Sequence, residues 1–151
     1  MKRSAGILLY KVNHSNEIAF FLVHPGGPFF AKKDNGFWTI PKGEIEPDED
    51  PLATAKREFE EETGTEPTGD FITLGEIKQK GGKIVQAWAV EGDLDIEKIK
   101  SNNFEIEWPP KSGQKKSFPE IDKAGWFSLT EAKAKINEAQ YVFITRLAEL
   151  K

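Results

Sequence analysis

Residues 43–65 read GEIEPDEDPLATAKREFEEETGT, and the crowding of acid near the end of that stretch is what a fold for this chain must explain. Glu58, Glu60, Glu61 and Glu62 fall within five positions, directly after Arg57. Like charges one turn apart cost an isolated helix only about 0.2–0.5 kcal/mol per pair. A solvated acidic face is therefore tolerable, and the sharper alternative is a set of carboxylates converging on a cation. The helix itself follows from local rules. Asp50 offers a side-chain oxygen at the N-cap and Pro51 a fixed φ at the first helical position, while Gly64 suits the residue just past the C-terminus. Leu52, Ala55 and Phe59 recur at i, i+3 and i+7 as one apolar stripe. At about 100° per residue from Glu58, Glu61 lies at about −60° and Glu62 at about +40°, whereas Glu60 lies near 200°. Three of the four glutamates share a face, and Glu60 points away.

Outward from this helix, Ser4 to Val12 and Glu17 to His24 read as strands joined by the polar turn Asn13-His14-Ser15-Asn16. Ile18 to Val23 is continuously apolar, as in a strand covered on both faces. The Pro/Gly-rich run PGGPFFAKKDNG after His24 is a loop, and Phe37 to Ile40 is a candidate short strand. Phe71 to Lys78 and Lys83 to Val90 are strand-like and flank Gly81-Gly82, a hairpin signal. Gly92 to Glu120 is polar and mixed, with Trp108-Pro109-Pro110 at its centre, and is expected to be a long surface or functional excursion, its Lys111 to Lys116 run solvated. Ala124 to Phe127 is a last short strand. Ser128 to Glu131 has the capping-box form, and Phe143, Leu147 and Leu150 form the apolar stripe of a closing helix. This order predicts an α/β chain with a mixed sheet and helices packed on it.

The 151 residues suit one domain, spanning 1–151, with no repeat or linker. Cysteine is absent and there are two histidines, which excludes thiolate chemistry and His-rich zinc sites and suits a reducing cytoplasmic setting. Any metal is expected to have oxygen ligands, as Mg²⁺ or Mn²⁺ does. The apolar run after the basic opening is too short for a signal peptide, and no stretch approaches a membrane span. With a net charge of −4, nucleic acid and anionic lipid are not expected partners.

Gly43, Glu49, Arg57, Glu58, Glu61, Glu62 and Gly64 stand at the fixed positions of the pattern Gly-x5-Glu-x7-Arg-Glu-U-x-Glu-Glu-x-Gly-U, with U a bulky apolar residue. In this the chain resembles the Nudix hydrolase family. Phe59 fits its U position, and Thr65 is smaller and more polar than the pattern prefers. The resemblance implies a Nudix α/β/α sandwich with a central mixed sheet. It also implies Mg²⁺-dependent hydrolysis of a nucleoside diphosphate linked to another group, with Mn²⁺ able to substitute. Glu58, Glu61, Glu62 and the Gly43 carbonyl would hold the metal. Arg57 would orient the carboxylates, its plainer role being an i,i+4 pair with Glu61, and Glu49 would brace Arg57. Glu120, six residues before Trp126, is similar to a late acid in relatives that acts as ligand or base, with Asp122 as fallback. The base stays open among Glu58, Glu61, Glu62 and Glu120.

The lead-in Trp38-Thr39-Ile40-Pro41-Lys42-Gly43 resembles that of diadenosine polyphosphate hydrolases. It also resembles a MutT-like bacterial group of predicted NTP pyrophosphohydrolases, along with His24 to Pro28 and Glu107 to Pro110. The substrate expected is thus a nucleoside triphosphate or a dinucleoside polyphosphate. Lys42, Trp38, Phe30 and Arg3 are its candidate contacts, with Ser4 beside Arg3 and with Phe29 and Trp108 as loop aromatics able to stack on a base. His24 is read as a strand-end residue without a role. The alternatives are a catalytically silent nucleotide sensor and an RNA 5′-end pyrophosphohydrolase. Homodimerisation stays open.

Overall fold

A computed structural model describes residues 2–151. Its centre is β1 (Arg3–Val12), which is parallel to β5 (Ile84–Glu91) on one side, from Arg3↔Ile84 to Tyr10↔Glu91. On its other side β1 pairs with two antiparallel strands in turn: β3 (Lys42–Glu44) at its start, through Ser4↔Glu44, and β2 (Ile18–Pro25) at its end, through Tyr10↔Phe20. β4 (Ile72–Lys78) extends the sheet beyond β5, and β8 (Ile121–Phe127) beyond β2, giving the order β4-β5-β1-β2-β8 with β3 off the path. The mixed sheet is thereby as expected. Thr39 also bridges to Val23 in place of a fuller strand over Phe37 to Ile40.

Side chains alternate across β1, so each face of the sheet acquires its own core. Ala5, Ile7 and Leu9 meet Ala55 and Phe59 of α1 (Pro51–Thr63). Leu8 and Tyr10 meet Phe143, Ile144 and Leu147 of α3 (Tyr141–Leu150), with Ala132 of α2 (Leu129–Lys135). The result is the expected α/β/α sandwich. The α3 stripe needs one correction. Ile144 is buried where Leu150 was expected, and Leu150 is 58% exposed, because the helix ends there with no further layer to cover it.

The helix caps follow the local rules. The Asp50 side chain accepts from the Ala53 N–H at 3.1 Å, and Gly64 sits in the left-handed region with its N–H donating to the Glu60 carbonyl at 2.7 Å. Ser128 and Glu131 form the capping box of α2, and Gly81-Gly82 turn the β4–β5 hairpin, both with positive φ. The polar excursion is more ordered than its composition suggested. β6 (Asn103–Glu107) and β7 (Lys115–Pro119) pair as a separate hairpin. Its Phe104 ring covers Gly27, and its Trp108 ring meets Phe29 edge-on at 5.4 Å. β8 begins three residues before the expected Ala124, immediately after Glu120.

Candidate active site

α1 lies across β1 and β3, which places its glutamate face against the Lys42–Glu44 strand. Gly43 is where backbone and helix come closest, since a Cβ there would fall inside the Glu58 carboxylate. Only glycine lets the two approach in this way. Along the helix, exposure sorts the acids as their angular positions require: Glu60 is exposed, Glu58 and Glu61 are half-buried, and Glu62 is 7% exposed.

Arg57 organises the set. Its Nε and Nη2 donate to the two oxygens of Glu49 at 2.9 and 3.0 Å, a bidentate pair. Glu49 is held in turn by the Thr54 hydroxyl at 2.6 Å. The remaining Nη1 donates to Glu58 Oε2 at 3.1 Å and to both Glu61 oxygens at 3.3 Å. The guanidinium thus links a bracing acid outside the cluster to two acids within it. Its hydrogen bonds hold Glu49 down to about 2, and Glu49 in turn raises Arg57 further above its ordinary value.

The clustered acids behave oppositely. Burial, together with Glu61, pushes Glu58 up to about 7, and burial with the charge of Glu58 pushes Glu62 up to about 9. Glu120 is raised by burial and by Glu61, and its charge is felt by both Glu58 and Glu62. Sequence distance notwithstanding, the late acid therefore stands at the helix cluster. Lys42, desolvated and facing Lys83, is lowered to about 8, while Glu62 and Glu58 work to keep it charged.

Among the described residues no three side chains are gathered into a ready metal cage; Glu58 and Glu61 are drawn towards Arg57, and Glu62 faces Lys42. Three acids of raised pKa beside partly desolvated Lys42 nevertheless lack positive charge. The available donors, carboxylates and the Gly43 carbonyl, are all oxygen, and a hard divalent cation fits both facts.

The outlying candidates divide. Arg3 is ion-paired with Glu76 on β4. Phe30 lies at the surface, tilted against Phe37 at 6.3 Å. Trp38 must be corrected from substrate contact to core residue: it is 7% exposed, its indole N–H donates to Asp34 at 2.8 Å, and Phe127 and His24 pack edge-on against it at 5.0 and 5.3 Å. No face is left free for a base. Two participants were not foreseen. Lys83 follows the β4–β5 turn and comes close enough to Lys42 for its charge to lower the Lys42 pKa. Asn102, whose N–H donates to the Glu61 carbonyl at 2.9 Å, ties the excursion to the end of α1. Neither carries a local sequence signal.

Residues 1–147 match the family model described as NUDIX domain. The chain is 39% identical over 67 residues to a bis(5′-nucleosyl)-tetraphosphatase (asymmetrical) of Rattus norvegicus, covering 40% of this chain and 46% of that protein. It is 29% identical over 97 residues to a MutT-like protein of Streptomyces ambofaciens, covering 63% of each. The matches thus span less than two thirds of either relative's length. A crystal structure of a C. elegans Ap4A hydrolase binary complex superposes with a TM-score of 0.69 at 19% identity, covering 99% of this chain and 97% of that one, a likeness of fold.

Proposed function

Since the chain belongs to the NUDIX family, we propose that it is a Mg²⁺-dependent pyrophosphohydrolase in which water cleaves a P–O–P bond of a nucleoside triphosphate or dinucleoside polyphosphate. The observation that carries this reading is the cluster of Glu58, Glu62 and Glu120, all with raised pKa, beside Lys42, which desolvation lowers to about 8. Such a site is electrostatically incomplete until a cation and an anionic substrate arrive together.

A divalent cation held by Glu58, Glu61, Glu62 and the Gly43 carbonyl would neutralise phosphate oxygens and supply Lewis acidity. The chain's own groups do the rest. Arg57, pinned by Glu49, fixes the rotamers of Glu58 and Glu61. Lys42 binds a phosphate oxygen as a point charge, which eases the desolvation that lowers it. Glu120, partly desolvated with raised proton affinity, accepts the proton from the attacking water. Partial similarity to a tetraphosphatase supports the dinucleoside substrates, and the net charge of −4 disfavours RNA.

The test is a nucleotide panel with Mg²⁺ in ¹⁸O-water, including ATP, diadenosine tetraphosphate and a 5′-triphosphorylated oligoribonucleotide, with products resolved by mass. One phosphate-bearing product should gain a single ¹⁸O. If one compound binds tightly and none is cleaved, the domain is a nucleotide sensor and not an enzyme.

A further inference from the structure

Phe29 is the most exposed large apolar side chain among the described residues, at 62%, yet it is not isolated, because the Trp108 ring meets it edge-on at 5.4 Å. Neither ring belongs to the core on either face of the sheet, so packing does not account for the pair. The surrounding backbone is firmly built. Gly27, with a φ of 96°, lies so close beneath the Phe104 ring that a Cβ would collide with it. At the hairpin tip the Trp108 N–H donates to the Gln114 carbonyl at 2.9 Å, and the Glu107 carboxylate accepts from the Lys111 and Gly113 N–H groups at 2.9 and 3.2 Å. Two held rings, one open to solvent, present the kind of flat face on which a nucleobase stacks.

Charge around the rings suits an anion. Lys32, Lys111, Lys115 and Lys116 are exposed on the loop and hairpin that carry them. Of the acids there, Glu107 is taken up by the two N–H groups and Asp34 by Lys135 and the Trp38 indole. On a chain of net charge −4 this is a local cationic surface.

The rings are tied to the acid cluster through the backbone. The Gly26 N–H donates to the Glu120 carbonyl, the Glu120 N–H to the Asn102 carbonyl and the Asn102 N–H to the Glu61 carbonyl, at 2.8, 2.8 and 2.9 Å. Three residues of chain, as from Gly26 to Phe29, span at most about 11 Å. A polyphosphate lying at the acids can therefore carry a base as far as the rings. A second aromatic site adjoins the Lys42 strand, which meets α1 one turn earlier, at Glu58. There Gln140 links the Ile40 N–H to the Gln79 side chain, beside a cavity of about 850 Å³ bordered by Phe37, Lys80, Lys133 and Tyr141. The two sites share no residue, and a ligand with a base at each end of a phosphate chain fills both.

We propose that Phe29 and Trp108 dock the second nucleobase of a dinucleoside polyphosphate, the base on the Glu120 side of the cleaved bond. The proposal rests on the pyrophosphohydrolase reading above and selects the two-headed substrate over the nucleoside triphosphate. Kinetics of the full chain with Mg²⁺ test it. Phe29→Ala and Trp108→Ala should each raise KM for diadenosine tetraphosphate about 5- to 100-fold relative to KM for ATP, with kcat for the dinucleotide within about two-fold. Phe29→Tyr, which keeps a flat ring, should restore KM, and Phe29→Leu, which keeps only the bulk, should not. Equal effects on both nucleotides, no effect on the dinucleotide, or a wild-type KM in Phe29→Leu overturns the docking role. If Trp108→Ala unfolds the hairpin, the Phe29 variants decide alone, since that side chain is already open to solvent. Where the wild type leaves the dinucleotide intact, calorimetric titration of diadenosine tetraphosphate into the protein with Mg²⁺ decides the docking. The wild type should then bind about five-fold or more tightly than Phe29→Ala, and equal affinity or no binding overturns the proposal. Cleavage of neither nucleotide refutes the proposed activity by itself.

Discussion

Replacing Glu62 by glutamine should stabilise the metal-free protein while destroying its activity. Burial and Glu58 raise Glu62 from its ordinary 4.5 to about 9. A group whose pKa is raised on folding contributes most below its unfolded value, and that contribution is lost as pH climbs towards the folded one. From pH 4.5 to 7.5 each pH unit costs about 1.4 kcal/mol, roughly 4 kcal/mol in all. Glutamine keeps the shape and hydrogen-bonding capacity without this penalty. The pull of Lys42 is already contained in that value, and relaxation around the buried carboxyl leaves an expected net of about 2–3 kcal/mol. For a chain of this length that corresponds to a rise in Tm of roughly 5–10 °C. Calorimetry in EDTA at pH 7.5 and 5.0 measures it, and at pH 5.0 the difference should shrink below about 1 kcal/mol. Adding Mg²⁺ should stabilise the wild type more than the variant, since ligand binding to the folded state adds to stability. A variant less stable than wild type in EDTA at pH 7.5, or equally stabilised at both pH values, refutes the reasoning.

The other expectations concern the groups around Glu62. Glu61→Gln should lower turnover by about three orders of magnitude or more with Tm nearly unchanged, because Glu61 is half-buried and Arg57 keeps Glu49 and Glu58; steady-state rates and a thermal melt check it. Gly43→Ala places a methyl on the Glu58 carboxylate, so it should cost about 1–3 kcal/mol in denaturant unfolding and weaken Mn²⁺ binding measured by electron paramagnetic resonance. Glu49 is held down to about 2 by Arg57, so its contribution to stability is complete above pH 4.5 and is lost as pH falls towards 2. In a series of acid melts, Glu49→Gln should flatten that decline and should also lower kcat by freeing Arg57.

The acidic helix was legible from sequence because its determinants are local. A cap, a proline, a glycine stop and an apolar stripe lie within sixteen residues, and helical periodicity alone separates Glu60 from Glu58, Glu61 and Glu62. Trp38 was misplaced because sequence proximity to Lys42 does not reveal which way a loop residue turns; Asp34, Phe127 and His24 decide that from elsewhere in the chain. The β6–β7 hairpin escaped notice because its strands are short and polar and take their apolar cover from Gly27 and Phe29 across the fold.

The sequence by itself determined which groups could do chemistry and how they are spaced along one helix, since spacing on a helix is set by backbone geometry and needs no partner. Only the tertiary structure decided how those groups ionise. The raised pKa of Glu62, the partial desolvation of Lys42 and the arrival of Glu120 all depend on surfaces brought together from distant stretches of chain. Desolvation and Coulomb energy depend on distance in space and on burial, and neither is written in the order of residues.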